Sequence, residues 1–388
     1  MIMHGVDKVN MKRLCCFFNY NPLYRLPIYR AMDETFDCDF YFGDSVFEPL
    51  QQFPPEQLKG FRRMLHTVQT GFKNYKWHQG TGSLFCGYST YLLTGQIDYV
   101  ANWMLIVYAK LTRKKLYCWT HGVSKAEMQK PLSRLVFRLF FKSMDGILMY
   151  NRHRFSLMQQ LGIDVKKLHV IHNSLDTDVQ TLLYQTLTHT DIYTRHFGNH
   201  LPTIIYIGRL QARKKLGLLI EALHRVNTPT PRVNLCIVGA TTDDHSTEQL
   251  VQQLGLTTSV WFYGACYDEQ LNARLLYNAA VCVCPAAVGL TAIHALSYGT
   301  PVVSNDDFDT QMPEFEAIEE GVTGSFYTAD DPQSLADAIV RWTSLSAAAR
   351  RQTRAAARHM VESQWSVAYQ MKVLRQLFPQ YIKTPTEQ

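Results

Sequence analysis

Apolar residues along the chain fall into two successive series of short, strand-length runs, each followed by a stretch with helical spacing. In the first series, Leu14 to Phe18 and Asp39 to Phe42 read as strands around a helix near Pro27 to Thr35. Further strands are expected at Asp98 to Ala101, Leu116 to Trp119, Gly146 to Met149 and Val170 to Ile171, with helices near 103–112, 131–142 and 152–161. From Asn173 to Leu201 the pattern lapses into a polar passage rich in threonine and histidine. The second series starts with Thr203 to Ile207 and continues through Val233 to Val238, Val260 to Tyr263, Ala279 to Cys284, Pro301 to Ser304 and Gly324 to Tyr327. Its helices are expected near 216–226, 245–254, 268–278, 290–298 and 331–346, and beyond Ser346 the chain reads as helical to about Phe378.

Such alternation predicts parallel sheets covered by helices. With 388 residues, 46% of them hydrophobic, the chain can build two cores. The fold class is therefore α/β with two Rossmann-like domains facing a cleft. Their expected limits are 1–185 and 186–364, with a C-terminal helix from about Trp365 returning to the first domain, so that 365–388 packs there. No run reaches the roughly 18 apolar residues that cross a bilayer, and Met1 to Asn10 reads as a loose leader without a signal-peptide core. The expected location is cytoplasmic.

The nine cysteines are scattered and mostly apolar in context, without zinc or redox spacing, so they read as small core residues in a reducing compartment. No histidine motif for a metal is present either. A net charge of +6 suits an anionic substrate or an anionic membrane surface, and no recognised module accompanies it that would indicate nucleic acid. Lys59, Arg62, Arg63, Lys73 and Lys76 alternate with Phe61, Phe72, Tyr75 and Trp77, which fits either peripheral contact with the inner face of a membrane or, as the plainer expectation, the solvated face of a helix.

The chemistry centres on Pro285 to Val303, which reads as the end of a strand, a glycine-containing loop, a helix starting near Gly289, and the next strand. Such a loop lies at the carboxyl edge of a parallel sheet, where helix amides without intrahelical partners receive an anion, here a phosphate. Gly208 and Arg209 to Lys215 occupy a similar strand end, so Arg209 and Lys214 can neutralise the same anion, unless they are ordinary solvated charges before a helix. At about 4 Å each would contribute about 4 kcal/mol at an effective dielectric near 20.

The order GRLQARKKLGLLIEA, LCIVGA, VWFYGACYDEQL, VGLTAIHALSYGTPVV and EEGVTGSF resembles the donor-binding half of a family 4 glycosyltransferase of the GT-B fold. NPLYRLPIYRAM, YCWTHGVSK and the Asn173-x-x-Asp176 of NSLD resemble its first half. The resemblance implies that Arg209 and Lys214 contact the donor diphosphate, that Gly289, Leu290 and Thr291 present amides to the phosphates, and that His121 meets the donor sugar. It also brings a departure. The family usually has two glutamates separated by seven residues across this loop, and this chain has Ala286 and His294 there, a GLTxxH variant. His294 can still bond a ribose hydroxyl, or it is a core histidine. Glu314 and Glu316 lie where the family often carries a carboxylate near the donor, though they equally suit a helix start. Asn19, Tyr24 and Arg25 follow the first strand, on the acceptor side, where a turn at Asn21-Pro22 with Tyr24 in the core is the alternative.

The resemblance implies a retaining, metal-independent transferase without a cofactor, moving a hexosyl group from a nucleotide-diphosphate sugar to a glycan or lipid-linked acceptor in surface polysaccharide synthesis. A sugar-nucleotide epimerase and a non-catalytic nucleotide-sugar binding subunit are the alternatives. The sugar, base and acceptor are not written in the sequence.

Overall fold

The structure is a computed structural model that describes residues 13–44, 51–71, 75–85, 87–240 and 245–384. The chain divides into two compact units, Met1–His172 with Val367–Gln388, and Asn173–Ser366. The boundary lies at Asn173 rather than 186 because the polar passage is structured. Helices Thr177–Thr186 and Ile192–Phe197 occupy it, and Tyr193 enters the core of the second unit, its hydroxyl donating to Leu275 O at 2.8 Å.

The first unit is built on β1 (Leu14–Phe18), β2 (Cys38–Gly43), β3 (Phe61–Leu65), β4 (Thr67–Gln69), β5 (Lys76–His78), β6 (Thr90–Thr94), β7 (Lys115–Thr120), β8 (Gly146–Met149) and β9 (Leu168–Val170). Seven of these form one parallel sheet in the order β3-β2-β1-β6-β7-β8-β9, and β4 and β5 form an antiparallel pair. Both sheet faces are buried: Leu14, Cys16 and Phe18 enter one apolar layer, Cys15 and Phe17 the other. This is why β1 reads as an unbroken apolar run rather than an alternating one.

Two expectations for this unit are corrected. Asp98 to Ala101 is not a strand, since the helix Val100–Thr112 begins there and the strand beside β1 is the earlier β6. The basic stretch from Lys59 is no helix face either. It is an edge strand, β3, followed by the β4–β5 pair, with Asp33 accepting from the amides of Lys59 and Gly60 at 2.6 and 2.8 Å. Phe72 and Lys73, like Met1 to Asn10, lie outside the described residues.

The helix Val367–Leu377 covers this sheet with Val367, Met371 and Leu374, and the Phe378 ring lies 4.8 Å from that of Tyr117. Asp37 N donating to Tyr381 O at 2.7 Å ties down the chain that follows.

The second unit contains β10 (Thr203–Ile207), β11 (Asn234–Val238), β12 (Val260–Gly264), β13 (Val281–Val283), β14 (Val302–Asn305) and β15 (Gly324–Tyr327). They form a parallel sheet in the order β12-β11-β10-β13-β14-β15. Side chains alternate between its two buried faces: Ile204, Tyr206, Val281 and Val283 on one, Ile205, Cys282 and Cys284 on the other. All eight cysteines among the described residues are free, and all but the half-buried Cys266 are buried, as small core residues would be.

Candidate functional site

In the second sheet the strand order reverses between β10 and β13, which pair side by side. Chains leaving the carboxyl ends of two strands at such a point turn apart and open a crevice. Here a concavity is lined by Ile207, Gly208, Lys214, the loop Ala286 to Gly289, and Thr291. Its floor requires glycine. Gly208 has φ 154°, and a Cβ on Gly239 would stand 2.0 Å from Gly208 O, so the two turns touch backbone to backbone.

The loop above the floor is held from behind. Gln311 accepts from Val288 N at 2.8 Å and donates to Ser304 Oγ and Asn305 O at 3.0 and 2.9 Å. Ser304 Oγ donates to Ala286 O at 3.1 Å, and Pro285 O accepts from the Tyr327 hydroxyl. With the loop so fixed, the helix Leu290–Ser297 begins at Gly289 without a side-chain cap. Its first amides therefore lack an intrahelical acceptor. The Thr291 hydroxyl donates back to Ile207 O at 3.3 Å, and Lys214 Nζ reaches Ala287 O at 3.2 Å, which puts the ammonium on the rim of the concavity. Arg209 is exposed at the end of the same turn, its carbonyl accepting from the Tyr206 hydroxyl at 2.9 Å. Gly208, Lys214, Gly289, Leu290 and Thr291 are thus brought together, with Arg209 next to them in the chain.

His294 sits one helical turn beyond Thr291. Its Nε2 lies 3.1 Å from Glu269 Oε1, which also accepts from the Tyr298 hydroxyl at 2.6 Å and from Gln180 Nε2 at 3.2 Å. Desolvation pushes the Glu269 carboxyl upward, but the hydrogen bond and charge of His294 and the bonds from Tyr298 and Gln180 outweigh it and hold the pKa below the usual carboxylate range. Position 294 is neither an isolated core histidine nor a carboxylate. It positions a carboxylate supplied by another helix.

Glu314 is buried in the 3₁₀ turn Pro313–Ala317, where Oε1 accepts from Asn173 Nδ2 at 2.9 Å; Glu316 in the same turn is half-buried. Asp176 caps the helix Thr177–Thr186 through Val179 N at 3.3 Å. The Asn-x-x-Asp pattern therefore does structural work here: Asn173 anchors Glu314 and Asp176 starts a helix.

In the first unit, His121 follows β7 and remains exposed, its ring 4.5 Å from that of Tyr150. Desolvation, then the charges of Arg154 and Arg25, push its pKa down to about 3. Because the residue keeps solvent access, the direction is what matters: the imidazole is neutral at pH 7. The Arg25 guanidinium stands 4.9 Å from the Trp119 ring centre, 5.3 Å from that of Tyr150 and 5.9 Å from that of Tyr24. Arg25 and His121 thus flank one tyrosine. Tyr24 is half-buried rather than a core residue. Asn19 is buried at the end of β1, donating to Gln96 Oε1 at 2.7 Å and accepting from Thr94 Oγ1 at 3.1 Å.

Glu269, Gln311 and Gly239 were not singled out by sequence. Glu269 follows Asp268, the N-cap of its helix, so it looks like an ordinary first-turn carboxylate. Gln311 contacts a loop distant in the chain. The signal for Gly239 was present: it follows β11 just as Gly208 follows β10. Among the described residues no group of three or more His, Cys, Asp or Glu side chains is arranged to hold a metal ion.

Two Rossmann-like units, each built on a parallel sheet, with a glycine-marked helix start at the switch point of the second, have the architecture of the two-domain GT-B fold. Residues 195–360, within the second unit, match the family model for Glycosyl transferases group 1. A solved structure of Anabaena Alr3699/HepE in complex with UDP superposes with a TM-score of 0.70 at 15% identity, covering 94% of this chain and 99% of that one. Alpha-maltose-1-phosphate synthase of Mycobacterium tuberculosis is 28% identical over 179 residues, 44% of this chain and 45% of that protein. D-inositol 3-phosphate glycosyltransferase of Corynebacterium urealyticum is 25% identical over 271 residues, 65% and 61% of the two chains. The chain thus spans about half the length of the first of these curated relatives and somewhat more of the second.

Proposed function

We propose that the protein is a glycosyltransferase that moves a hexosyl group from a nucleotide-diphosphate sugar to a hydroxyl of a glycan or lipid-linked saccharide, with retention of configuration and without a metal ion. The observation that carries this reading is the convergence of Lys214, the Gly208 turn and the uncapped start of the helix Leu290–Ser297 on one concavity. That arrangement receives a diphosphate. The amides and the cations Lys214 and Arg209 stabilise negative charge as it grows on the departing diphosphate, and the loop pinned by Gln311 needs little rearrangement to do so. The neutral His121 is assigned to the donor sugar, and Asn19, Tyr24 and Arg25 to the acceptor side. The acceptor proton passes to the leaving phosphate.

The pair His294 and Glu269 supports a nucleoside reading for the adjoining surface. One oxygen of Glu269 takes all three protein hydrogen bonds described above, which leaves the other for a ribose diol. The carboxylate absent at 294 is thereby restored from the neighbouring helix. A role in surface polysaccharide synthesis accords with this chemistry, as does the UDP bound by Anabaena Alr3699/HepE.

The test is a thermal-shift screen against uridine, guanosine, adenosine and cytidine diphosphates, each with magnesium and with a chelator. Stabilisation by one of them, unaffected by the chelator and abolished in Arg209→Ala, is the expected result. Transfer from the matching nucleotide sugar, followed by NMR of the product anomer, then checks retention. Epimerisation without an acceptor, or binding without turnover, would refute the transferase reading.

A further inference from the structure

Helix Pro131–Lys142 of the first unit carries three different faces. Phe137, Phe140 and Phe141 are buried against the sheet. Leu132, Leu135 and Leu139 are 67%, 51% and 54% exposed, and their spacing of three and four places them on one stripe. Arg134, Arg138 and Lys142, four residues apart, form a row along one side of that stripe. A single exposed leucine is ordinary, whereas three in line between a buried face and a row of cations are not.

The adjacent helix Val100–Thr112, which packs Trp103 against Phe140 with ring centres 5.4 Å apart, extends the pattern. It leaves Val107 59% and Leu111 80% exposed. From Val100 to Met144 the chain has nine lysines and arginines and one carboxylate, Glu127. Glu127 is already engaged in the capping box with Ser124. Among the described residues Arg138 and Lys142 meet no carboxylate, and Arg134 donates only to the carbonyl of Gln160.

We propose that the helix Pro131–Lys142 docks the first unit on an anionic phospholipid surface. Leucines of this exposure insert among the acyl chains at the headgroup boundary while the cation row meets the phosphates. Charge complementarity selects this occupant over a second copy of the chain, because two such faces would oppose rows of like charge. The surface differs from the β3–β5 stretch considered from sequence, and the proposal stands whether or not the transferase reading does.

The experiment is flotation of the full chain with vesicles of phosphatidylcholine alone or mixed with phosphatidylglycerol, at low and high salt. The wild type is expected to partition at least about tenfold more strongly onto the mixed vesicles, and to lose this preference at high salt. Arg138→Gln and Lys142→Gln should each weaken partition about fivefold, and the double variant Leu135→Ser, Leu139→Ser about tenfold or more. All four positions are exposed, and unchanged melting temperatures verify that the variants fold. If the leucine pair were to unfold the unit, the two glutamine variants would carry the test. Equal binding to neutral and mixed vesicles overturns the proposal, as does wild-type partition by these variants. A concentration-dependent dimer that is lost in the leucine variant, without vesicle binding, also overturns it and assigns the face to self-association.

Discussion

His294 Nε2 and Glu269 Oε1 lie 3.1 Å apart, joining the helix that starts at the Gly289 loop to the helix that follows β12. Glu269 has a depressed pKa, so its ionised form is the one the fold favours. Its contribution to stability is present above the ordinary carboxylate pKa and is lost as pH falls through the lower folded value. The melting temperature of Glu269→Gln should therefore lie below that of wild type at neutral pH, with the gap closing in acid. His294→Ala should reproduce part of this loss and chiefly weaken nucleotide binding, which isothermal titration checks.

Lys214→Ala removes an ammonium from the rim of the concavity without opening a core. Nucleoside diphosphate affinity should fall by roughly tenfold to a hundredfold, the range of a charge-assisted hydrogen bond of about 1.5–3 kcal/mol. Transfer should slow in parallel while the melting temperature of the free protein changes little. Unchanged affinity in titration calorimetry would remove the concavity from the reaction.

Gln311→Ala tests whether the loop is held in advance. The side chain lies behind the loop and joins Val288 N to the end of β14. Its loss leaves a buried amide without an acceptor, at a cost of about 1–3 kcal/mol. A lower melting temperature together with weaker diphosphate binding is expected. Weakened stability with unchanged binding would show that the loop does not depend on this support.

His78, at the end of β5, is fully buried between Phe17 and Tyr99, with ring centres at 5.1 and 4.8 Å, and among the described residues neither ring nitrogen has a hydrogen-bond partner. Burial lowers its pKa to about 4. The sign follows: the neutral ring is favoured on folding, so stability is intact above the unfolded pKa near 6.5 and falls as pH drops toward 4. The full effect is roughly 3 kcal/mol. His78→Phe should shift the acid unfolding midpoint to lower pH, as read by circular dichroism. An unchanged midpoint would mean that other groups govern acid unfolding.

Much of the architecture was legible because its signals are local. β1, β10 and β15, and helices such as Pro131–Lys142 and Leu216–Val226, lie where periodicity and end signals put them. The failures share a cause. β6 was missed since its short run Thr90–Thr94 is followed by Ile97 and Val100, which belong to a loop and a helix start. The basic stretch from Lys59 reads in sequence as a helix face or a lipid-facing surface because an edge strand with exposed cations has no strong period of its own. At the site, the Gly208 turn and the Gly289 helix start were readable, because both depend on backbone conformation at a strand end.

The sequence by itself determined two α/β units, their parallel sheets, the cysteine-lined cores and the glycine-marked loop ahead of a helix start, since hydrophobic period and turn chemistry act over a few residues. Only the tertiary structure decided that strand order reverses between β10 and β13, that Gln311 props the loop, and that His294 grips Glu269 across 25 positions of chain. It also decided which face of Pro131–Lys142 stays uncovered. Those relations are set by which elements pack against one another, and packing joins residues that no local pattern links.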